Sequence, residues 1–112
     1  IDRKWFNSLK NIEKIDIGSN KLKKIENHSF QSLTNLKSLF IMNEKIISLN
    51  KNTFVGLNNL LMLNLEGNEL TRIQNQTFFY LTNLTQLSLY RNKITQIDKE
   101  AFFNLKSLKD LY

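Results

Sequence analysis

Residues 60–83 read "LLMLNLEGNELTRIQNQTFFYLTN", a stretch whose large apolar residues fall at fixed positions and not in one continuous run. The same spacing recurs without gaps in residues 12–35, 36–59 and 84–107. Each unit follows the pattern L-x-x-L-x-L-x-x-N-x-L-x-x-I, four variable residues, then F-x-x-L-x-x. Seven apolar slots in each of four units make 28 positions, and all 28 hold apolar residues. An exact period of 24 indicates a repeat architecture.

The repeat accounts for the whole chain. Ile1, Phe6 and Leu9 fit the end of an earlier unit, and Leu108 and Leu111 fit the start of another. We therefore predict one solenoid segment over 1–112, with partial units at 1–11 and 108–112. Neither end carries a polar or cysteine-rich cap of the kind that terminal repeats need, so we expect an excerpt of a longer solenoid. The alternative is a unit that stacks end to end with copies of itself.

The x-L-x-L-x core of each unit alternates with a period of two residues, which predicts a β-strand. Leu63 and Leu65 then point inward, and Met62 and Glu66 point outward. Stacked units place these strands side by side in parallel. We predict an α/β-type repeat solenoid: an arc with a parallel β-sheet on its concave face and loops or short 3-10 or helical turns on its convex face. The expected strand centres are Ile15, Leu39, Leu63, Leu87 and Leu111.

The stretches "LMLNLEGNEL" (61–70) and "LTQLSLYRNKI" (84–94) match the leucine-rich repeat signature L-x-x-L-x-L-x-x-N-x-L. The chain resembles the typical 24-residue animal extracellular class of this family, which includes Toll-like receptor, Slit-type and secreted insect immune ectodomains. The resemblance covers the whole chain. It implies an extracellular or secreted protein whose concave face recognises other proteins, in a receptor, adhesion or innate-immunity role.

Two columns of aromatic residues run along the repeat. We expect the first column to stack within the core, since a cofactor or base-stacking role would not require one ring per unit. A second column, one residue later, is expected to add to the core on the convex side, and a contact on the outer surface is the alternative. The first column is Phe6, Phe30, Phe54, Phe78 and Phe102, and the second is Val55, Phe79 and Phe103.

Asn20, Asn68 and Asn92 occupy the asparagine slot of the pattern, where an amide can donate to and accept from a turning backbone. Glu44 stands at this slot in the second unit. Because an ionised carboxylate can only accept, we expect Glu44 to cost local hydrogen bonding. Glu44→Asn is accordingly expected to be neutral or stabilising.

The outward strand positions are free to vary without disturbing the core, so they are where we look for function. Several of them are large and apolar, a composition typical of a protein-binding patch with a polar rim. We expect Phe40 and Met42 to form its centre, flanked by Met62 and Tyr90; lateral packing without a ligand is the alternative. The predicted partner-binding residues are Phe40, Met42, Met62, Glu66, Gln86, Tyr90 and Arg91.

Three N-x-S/T sequences make Asn27, Asn75 and Asn83 candidate glycosylation sites. Asn27 and Asn75 fall at the same unit position, in the variable loop. Asn83 adjoins the core Leu84, and we expect its role to be structural.

Enzymatic chemistry finds little support in the sequence. There is no cysteine, and the single histidine, His28, lies in a variable loop. We therefore predict no catalytic residues, no metal site and no cofactor. The net charge of +6 is concentrated in residues 1–56, but Lys21, Lys23 and Lys24 belong to no nucleic-acid reading motif, so no nucleic-acid partner is expected. No apolar run is long enough to span a membrane.

The sequence thus favours a non-catalytic extracellular scaffold that binds a protein ligand or receptor partner. The alternative is a structural extracellular protein whose solenoids associate with themselves.

Overall fold

The computed structural model describes all residues, 1–112, and contains one 3-10 helix and seven short strands. The 3-10 helix is Arg3–Phe6. The strands are β1 (Lys14–Asp16), β2 (Ser38–Phe40), β3 (Met62–Asn64), β4 (Arg72–Ile73), β5 (Gln86–Ser88), β6 (Gln96–Ile97) and β7 (Asp110–Leu111). The predicted strand centres are confirmed.

The main sheet is parallel, with five strands in the order β1-β2-β3-β5-β7. Its register follows the 24-residue period, because Leu63 pairs with Leu39 on one side and Leu87 on the other. A second parallel sheet joins β4 to β6 at Arg72–Ile73 and Gln96–Ile97. Turns connect the strands around the convex side, so the predicted leucine-rich repeat arc is confirmed. The flank that follows the strands in each turn, and that carries the second sheet, is called the descending flank below.

The inward positions of the sheet and the first aromatic column together form one core. Each strand from β1 to β3, and β5, buries its central residue between two more exposed ones. Phe30, Phe54 and Phe78 are fully buried, and successive rings in the column stack with centroids 5.6–6.4 Å apart. The column is therefore a structural stack, as the sequence predicts.

The second aromatic column differs from the expectation. Phe103 is 52% exposed and stacks on Phe79 at 6.1 Å, and the Lys51 ammonium lies 4.2 Å from the centroid of the Phe79 ring. Core packing was therefore the wrong interpretation for Phe103, because the first column already fills the space beneath it. The stack lies on the convex surface.

A left-handed residue closes every strand turn. Ser19, Asn43, Gly67 and Arg91 stand 24 residues apart, and their φ angles lie between 55° and 72°. The position is tight at Gly67, where an added Cβ would lie 2.3 Å from the Asn43 side-chain oxygen. These turns reverse the chain directly before the asparagine slot.

Asn68 and Asn92 bridge neighbouring turns at this slot. The Asn68 Nδ2 donates to Leu65 O (2.9 Å) in its own turn and to Ile41 O (2.7 Å) in the preceding one. Its Oδ1 accepts from Ile46 N at 3.1 Å. Asn92 repeats the arrangement one turn later, with its Oδ1 accepting from Leu70 N at 3.1 Å.

Asn20 is exposed and donates only to Gly18 O, at 3.0 Å. In the first complete unit the amide therefore closes its own turn and does not bridge to another.

Glu44 is not a defect in this series, so the expectation that it costs hydrogen bonding was wrong. Its carboxylate is buried and accepts from Asn20 N at 2.7 Å and from Leu22 N at 2.6 Å. Lys21, between these two donors, adopts a left-handed φ of 60°, unlike the residues at the same position of the other units. Alternating backbone conformations of this kind turn successive N–H groups toward one point and form an anion-binding nest. Glu44 supplies the anion.

We expect Leu63→Ala to lower the free energy of unfolding by about 2–5 kcal/mol, because it opens a cavity in the centre of the core. The matched control is Leu61→Ala, since Leu61 is 43% exposed where Leu63 is 1% exposed. That control should change stability by less than about 0.5 kcal/mol. Denaturant unfolding measures both, and equal losses would contradict the inward and outward assignment.

We expect Glu44→Gln to lower the free energy of unfolding by about 1–3 kcal/mol, because an amide NH₂ would then face a backbone donor that the carboxylate satisfied. Glu44→Asn should also destabilise, because the shorter side chain cannot reach both N–H groups. The control is Glu13→Gln, which removes only an exposed ion pair to Lys37 (3.1 Å) and should cost below ~0.5 kcal/mol. A neutral Glu44→Gln in thermal and urea melts would show that the nest does not need its anion.

Candidate functional site

The outward residues of the parallel strands form the concave face, and register fixes which of them are neighbours. Phe40 lies between Asp16 and Asn64 in one row. Tyr90 lies just beyond β5, two strands away from β2, since β3 intervenes. The prediction that Tyr90 flanks Phe40 across neighbouring strands was therefore wrong, and only Met62 is placed to do so.

Phe40 and Met42 are half-buried. The Lys14 ammonium lies 5.2 Å from the centroid of the Phe40 ring, so a residue of the chain itself shares that ring face. The two residues that sequence analysis placed at the centre of a patch thus border the concave groove and do not line it.

The concave groove lies between β3 and β5 and has a volume of about 400 Å³. Its apolar walls are Met62 and the exposed rings of Tyr90 and Tyr112, which are 55% and 67% exposed. Polar side chains from both strands alternate with them. The lining residues are Met62, Leu63, Asn64, Glu66, Gln86, Ser88, Tyr90 and Tyr112.

Four of the predicted partner-binding residues, Met62, Glu66, Gln86 and Tyr90, come together in this groove. Asn64, Ser88 and Tyr112 also line the groove, and they are not among the residues predicted from the sequence. The sequence does not show where the concave face is deep enough to form a groove. Here the small side chains of Asn64 and Ser88 leave a space that their larger neighbours enclose.

Hydrogen bonds within the chain hold several of these side chains in place. Asn64 Oδ1 accepts from Glu66 N at 2.9 Å, and Gln86 Nε2 donates to Asp110 Oδ2 at 3.3 Å. The Asn64 amide nitrogen and the two tyrosine hydroxyls remain available to a ligand, and so does the Ser88 O–H, whose oxygen accepts a long bond from Tyr90 N (3.5 Å). A pre-ordered groove of this kind loses little side-chain entropy on binding.

The rim of the concave groove carries a weakly paired set of charges. Arg91 lies 4.0 Å from the Glu66 carboxylate and 5.3 Å from the centroid of the Tyr90 ring, and its side chain is 69% exposed. An exposed pair at this distance adds little to stability. Both groups can therefore re-pair with a partner, and rim charges of this kind act mainly on association rate and specificity.

The three candidate glycosylation sites differ in what their side chains do. Asn27 and Asn75 are exposed and use their side-chain oxygens to accept, from Asn50 Nδ2 (3.0 Å) and Glu100 N (2.9 Å). The Asn83 Nδ2, in contrast, donates to Asn58 O at 2.7 Å.

Asn83 belongs to a second asparagine series that sequence analysis did not identify. Asn35, Asn59 and Asn83 stand 24 residues apart and donate to Lys10 O, Thr34 O and Asn58 O respectively. The recurrence of Asn at the last position of three units was the available signal.

No group of three or more His, Cys, Asp or Glu side chains could hold a metal ion. No helix has the length and apolar character to cross a membrane.

A family profile described as a BspA-type leucine-rich repeat region matches residues 1–112 in 6 copies. A comparison with curated protein sequences finds no match.

Among solved structures, the fold is similar to the crystal structure of a TLR13–ssRNA13 complex, with a TM-score of 0.92 and 27% identity over 95% of this chain. It is also similar to the Toll–Spatzle complex of Drosophila, with a TM-score of 0.90 and 27% identity over 99% of this chain. The chain spans only 15% of the length of either matched chain. Because TLR13 is in complex with ssRNA in that structure, the comparison does not support our expectation that this chain has no nucleic-acid partner.

Proposed function

We propose that this chain, which belongs to the leucine-rich repeat family, is part of a non-catalytic extracellular scaffold that binds a protein partner in the concave groove between β3 and β5. The observation that carries the proposal is the exposure of the Tyr90 ring beside a preformed groove that Tyr112 also lines. The Tyr90 ring is not used by the core, and exposed aromatic surface with a polar rim is characteristic of protein-binding sites.

The groove residues have different roles in the proposed recognition of a partner. Tyr90, Tyr112 and Met62 supply apolar area, and aromatic residues lose little conformational freedom when they anchor a partner. Asn64 and Ser88 offer hydrogen bonds to a partner backbone. Phe40 and Met42 extend the apolar surface onto β2 as a secondary contact.

The charges complete the description of the partner. Glu66 lines the groove and Asp110 lies beside it, bonded to the lining residue Gln86, whereas the Arg91 side chain is largely exposed outside it. A partner segment with an apolar or aromatic residue next to a basic one would fill the groove and pair with these carboxylates.

The comparisons support a binding scaffold over an enzyme. Toll is seen in complex with Spatzle and TLR13 in complex with ssRNA, so both similar structures show a macromolecular partner bound. Toll makes a protein partner and an innate-immunity setting reasonable for this chain as well, and we propose both on that basis.

We expect Tyr90→Ala to weaken binding of the protein partner at least about tenfold, because it removes a central aromatic anchor. Phe40→Ala should have a smaller effect, since Lys14 already shares its ring face. The partner is first captured from the extracellular fluid of the source organism and identified. Its affinity for purified variants is then measured by calorimetry.

The control for the Tyr90 change is Tyr80→Ala, because Tyr80 is half-buried on the convex side and packs edge-to-face against Phe79 at 5.3 Å. Equal affinities for wild type, Tyr90→Ala and Met62→Ala would refute the groove as the binding site. A larger loss for Phe40→Ala than for Tyr90→Ala would move the site to β2.

The extracellular location predicts glycans at Asn27 and Asn75 but not at Asn83. The first two side chains have free amide nitrogens on an exposed loop, whereas Asn83 uses its amide nitrogen in the second asparagine series. Expression through a secretory pathway followed by mass spectrometry of glycosidase-treated peptides should show two occupied sites. Asn27→Gln and Asn75→Gln should each remove one glycan.

Asn83→Gln serves as the comparison, since it should change stability without changing the glycan mass. An unmodified Asn27 and Asn75 in a secreted, folded product would contradict the glycosylation part of the proposal.

A further inference from the structure

A second groove, separate from the concave face, lies on the descending flank near the start of the chain. It has a volume of about 550 Å³ and is lined by three cations, Arg3, Lys23 and Lys24. Its floor and rim also contain Ile25, Ile47, Ser48, Asn27 and Asn50, and its one acidic residue is Glu26. We call it the basic groove.

None of the three cations of the basic groove forms an ion pair. The four ion pairs of the chain are Lys37–Glu13, Arg72–Asp98, Arg91–Glu66 and Lys93–Glu69. Lys21 and Lys45, which occupy one column on the same flank, are unpaired too.

The later turns show how this flank can be neutralised. Lys93 stands in the same column as Lys21 and Lys45, and it lies 3.8 Å from Glu69 in the adjacent turn. Arg72, in the column of Lys24, makes two bonds of 2.8 and 3.0 Å to Asp98, and the guanidinium lowers the pKa of that carboxyl below its ordinary value. At the position of Glu69 the first two units hold Lys21 and Lys45, and at the position of Asp98 the second unit holds Asn50, so Lys21 and Lys24 lack the acidic neighbour that Lys93 and Arg72 have. Glu26, at the Asp98 position of the first unit, forms no ion pair with them.

Stacked like charges repel one another, and adjacent turns lie only about 5 Å apart. Residues 1–56 hold 10 basic and 5 acidic residues, whereas 57–112 hold 6 and 5. An uncompensated basic stripe over successive turns lowers stability through self-repulsion and attracts polyanions. A bound polyanion removes the repulsion.

We propose that the basic groove binds a linear sulfated polysaccharide, with Arg3, Lys23 and Lys24 contacting its sulfate groups. Lys21 and Lys45 extend the contact along the flank, so that a chain with regularly spaced anionic groups meets cations in successive turns. Ser48 and Asn50 add hydrogen-bonding groups for sugar hydroxyls.

The lining favours a polysaccharide over a nucleic acid. Single-stranded nucleic acids are held by charge together with aromatic side chains on which bases stack, and no aromatic residue lines the basic groove. Trp5 follows Arg3 by two residues and is 51% exposed, but it does not line the groove. Duplex recognition needs a helix or ribbon that enters a nucleic-acid groove, and this flank presents neither.

The test uses the full chain produced without glycosylation, so that its outcome is independent of the concave-groove proposal and of a glycan on Asn27. The probe is a heparin-derived octasaccharide, titrated at several salt concentrations. The double variant Lys23→Gln/Lys24→Gln should bind about tenfold more weakly or worse, with a shallower salt dependence. Its unchanged thermal melting would show that it is folded.

The matched control is Lys106→Gln/Lys109→Gln, which removes the same charge from two exposed, unpaired lysines that line a separate groove of about 870 Å³. That pair should change affinity less than about twofold, because surface charges distant from the site are screened by salt. Equal losses in both double variants would overturn the proposal by showing attraction to net charge alone. Absence of binding at low salt, or tighter binding of a poly-dT or poly-U oligonucleotide that also depends on Lys23 and Lys24, would overturn it as well.

Discussion

The structure depends on one constraint, that every turn must present its backbone groups to the next turn at a spacing of 24 residues. Ile17 N donates to Phe40 O, Ile41 N to Asn64 O, and Leu65 N to Ser88 O, all at 2.8–2.9 Å. These strands are only two or three residues long, so none has enough internal pairing to persist alone. Stability comes from the repetition, and an insertion within one turn would break the bonds on both sides of it.

The same constraint explains how polar groups are admitted to the interior. Asn68 satisfies a donor and two acceptors across two turns, and Glu44 satisfies two donors in a nest. Both solutions leave no buried side-chain nitrogen or oxygen atom without a hydrogen-bond partner. Because the backbone and the core residues maintain the fold, the outward strand residues and the flanks are free to bind partners. The concave groove and the basic groove lie on these two different surfaces.

Much of the fold was predictable from the sequence, because each apolar slot is repeated in every unit and a misassignment at one position would conflict with three others. The strand register, the Phe30–Phe54–Phe78 stack and the inward Leu63 all follow from that period. The candidate site was less predictable. The concave groove arises where small residues such as Ser88 lie beside Tyr90, and residue type at one position does not reveal the depth of a surface. Glu44 was misread for a related reason: its partner is a backbone conformation at Lys21, which the sequence does not display.

The nest at Glu44 also determines how freely the units could be exchanged. Units 60–83 and 84–107 meet their preceding turns through asparagine, so either could in principle follow any turn that offers one suitably placed N–H. Unit 36–59 is different, because its carboxylate requires two converging N–H groups and therefore a left-handed residue such as Lys21 in the unit before it. Duplication or shuffling of single repeats would consequently separate Glu44 from its only suitable neighbour. Units 12–35 and 36–59 therefore act as a two-repeat module, which we expect to need transplanting as one piece in an engineered solenoid.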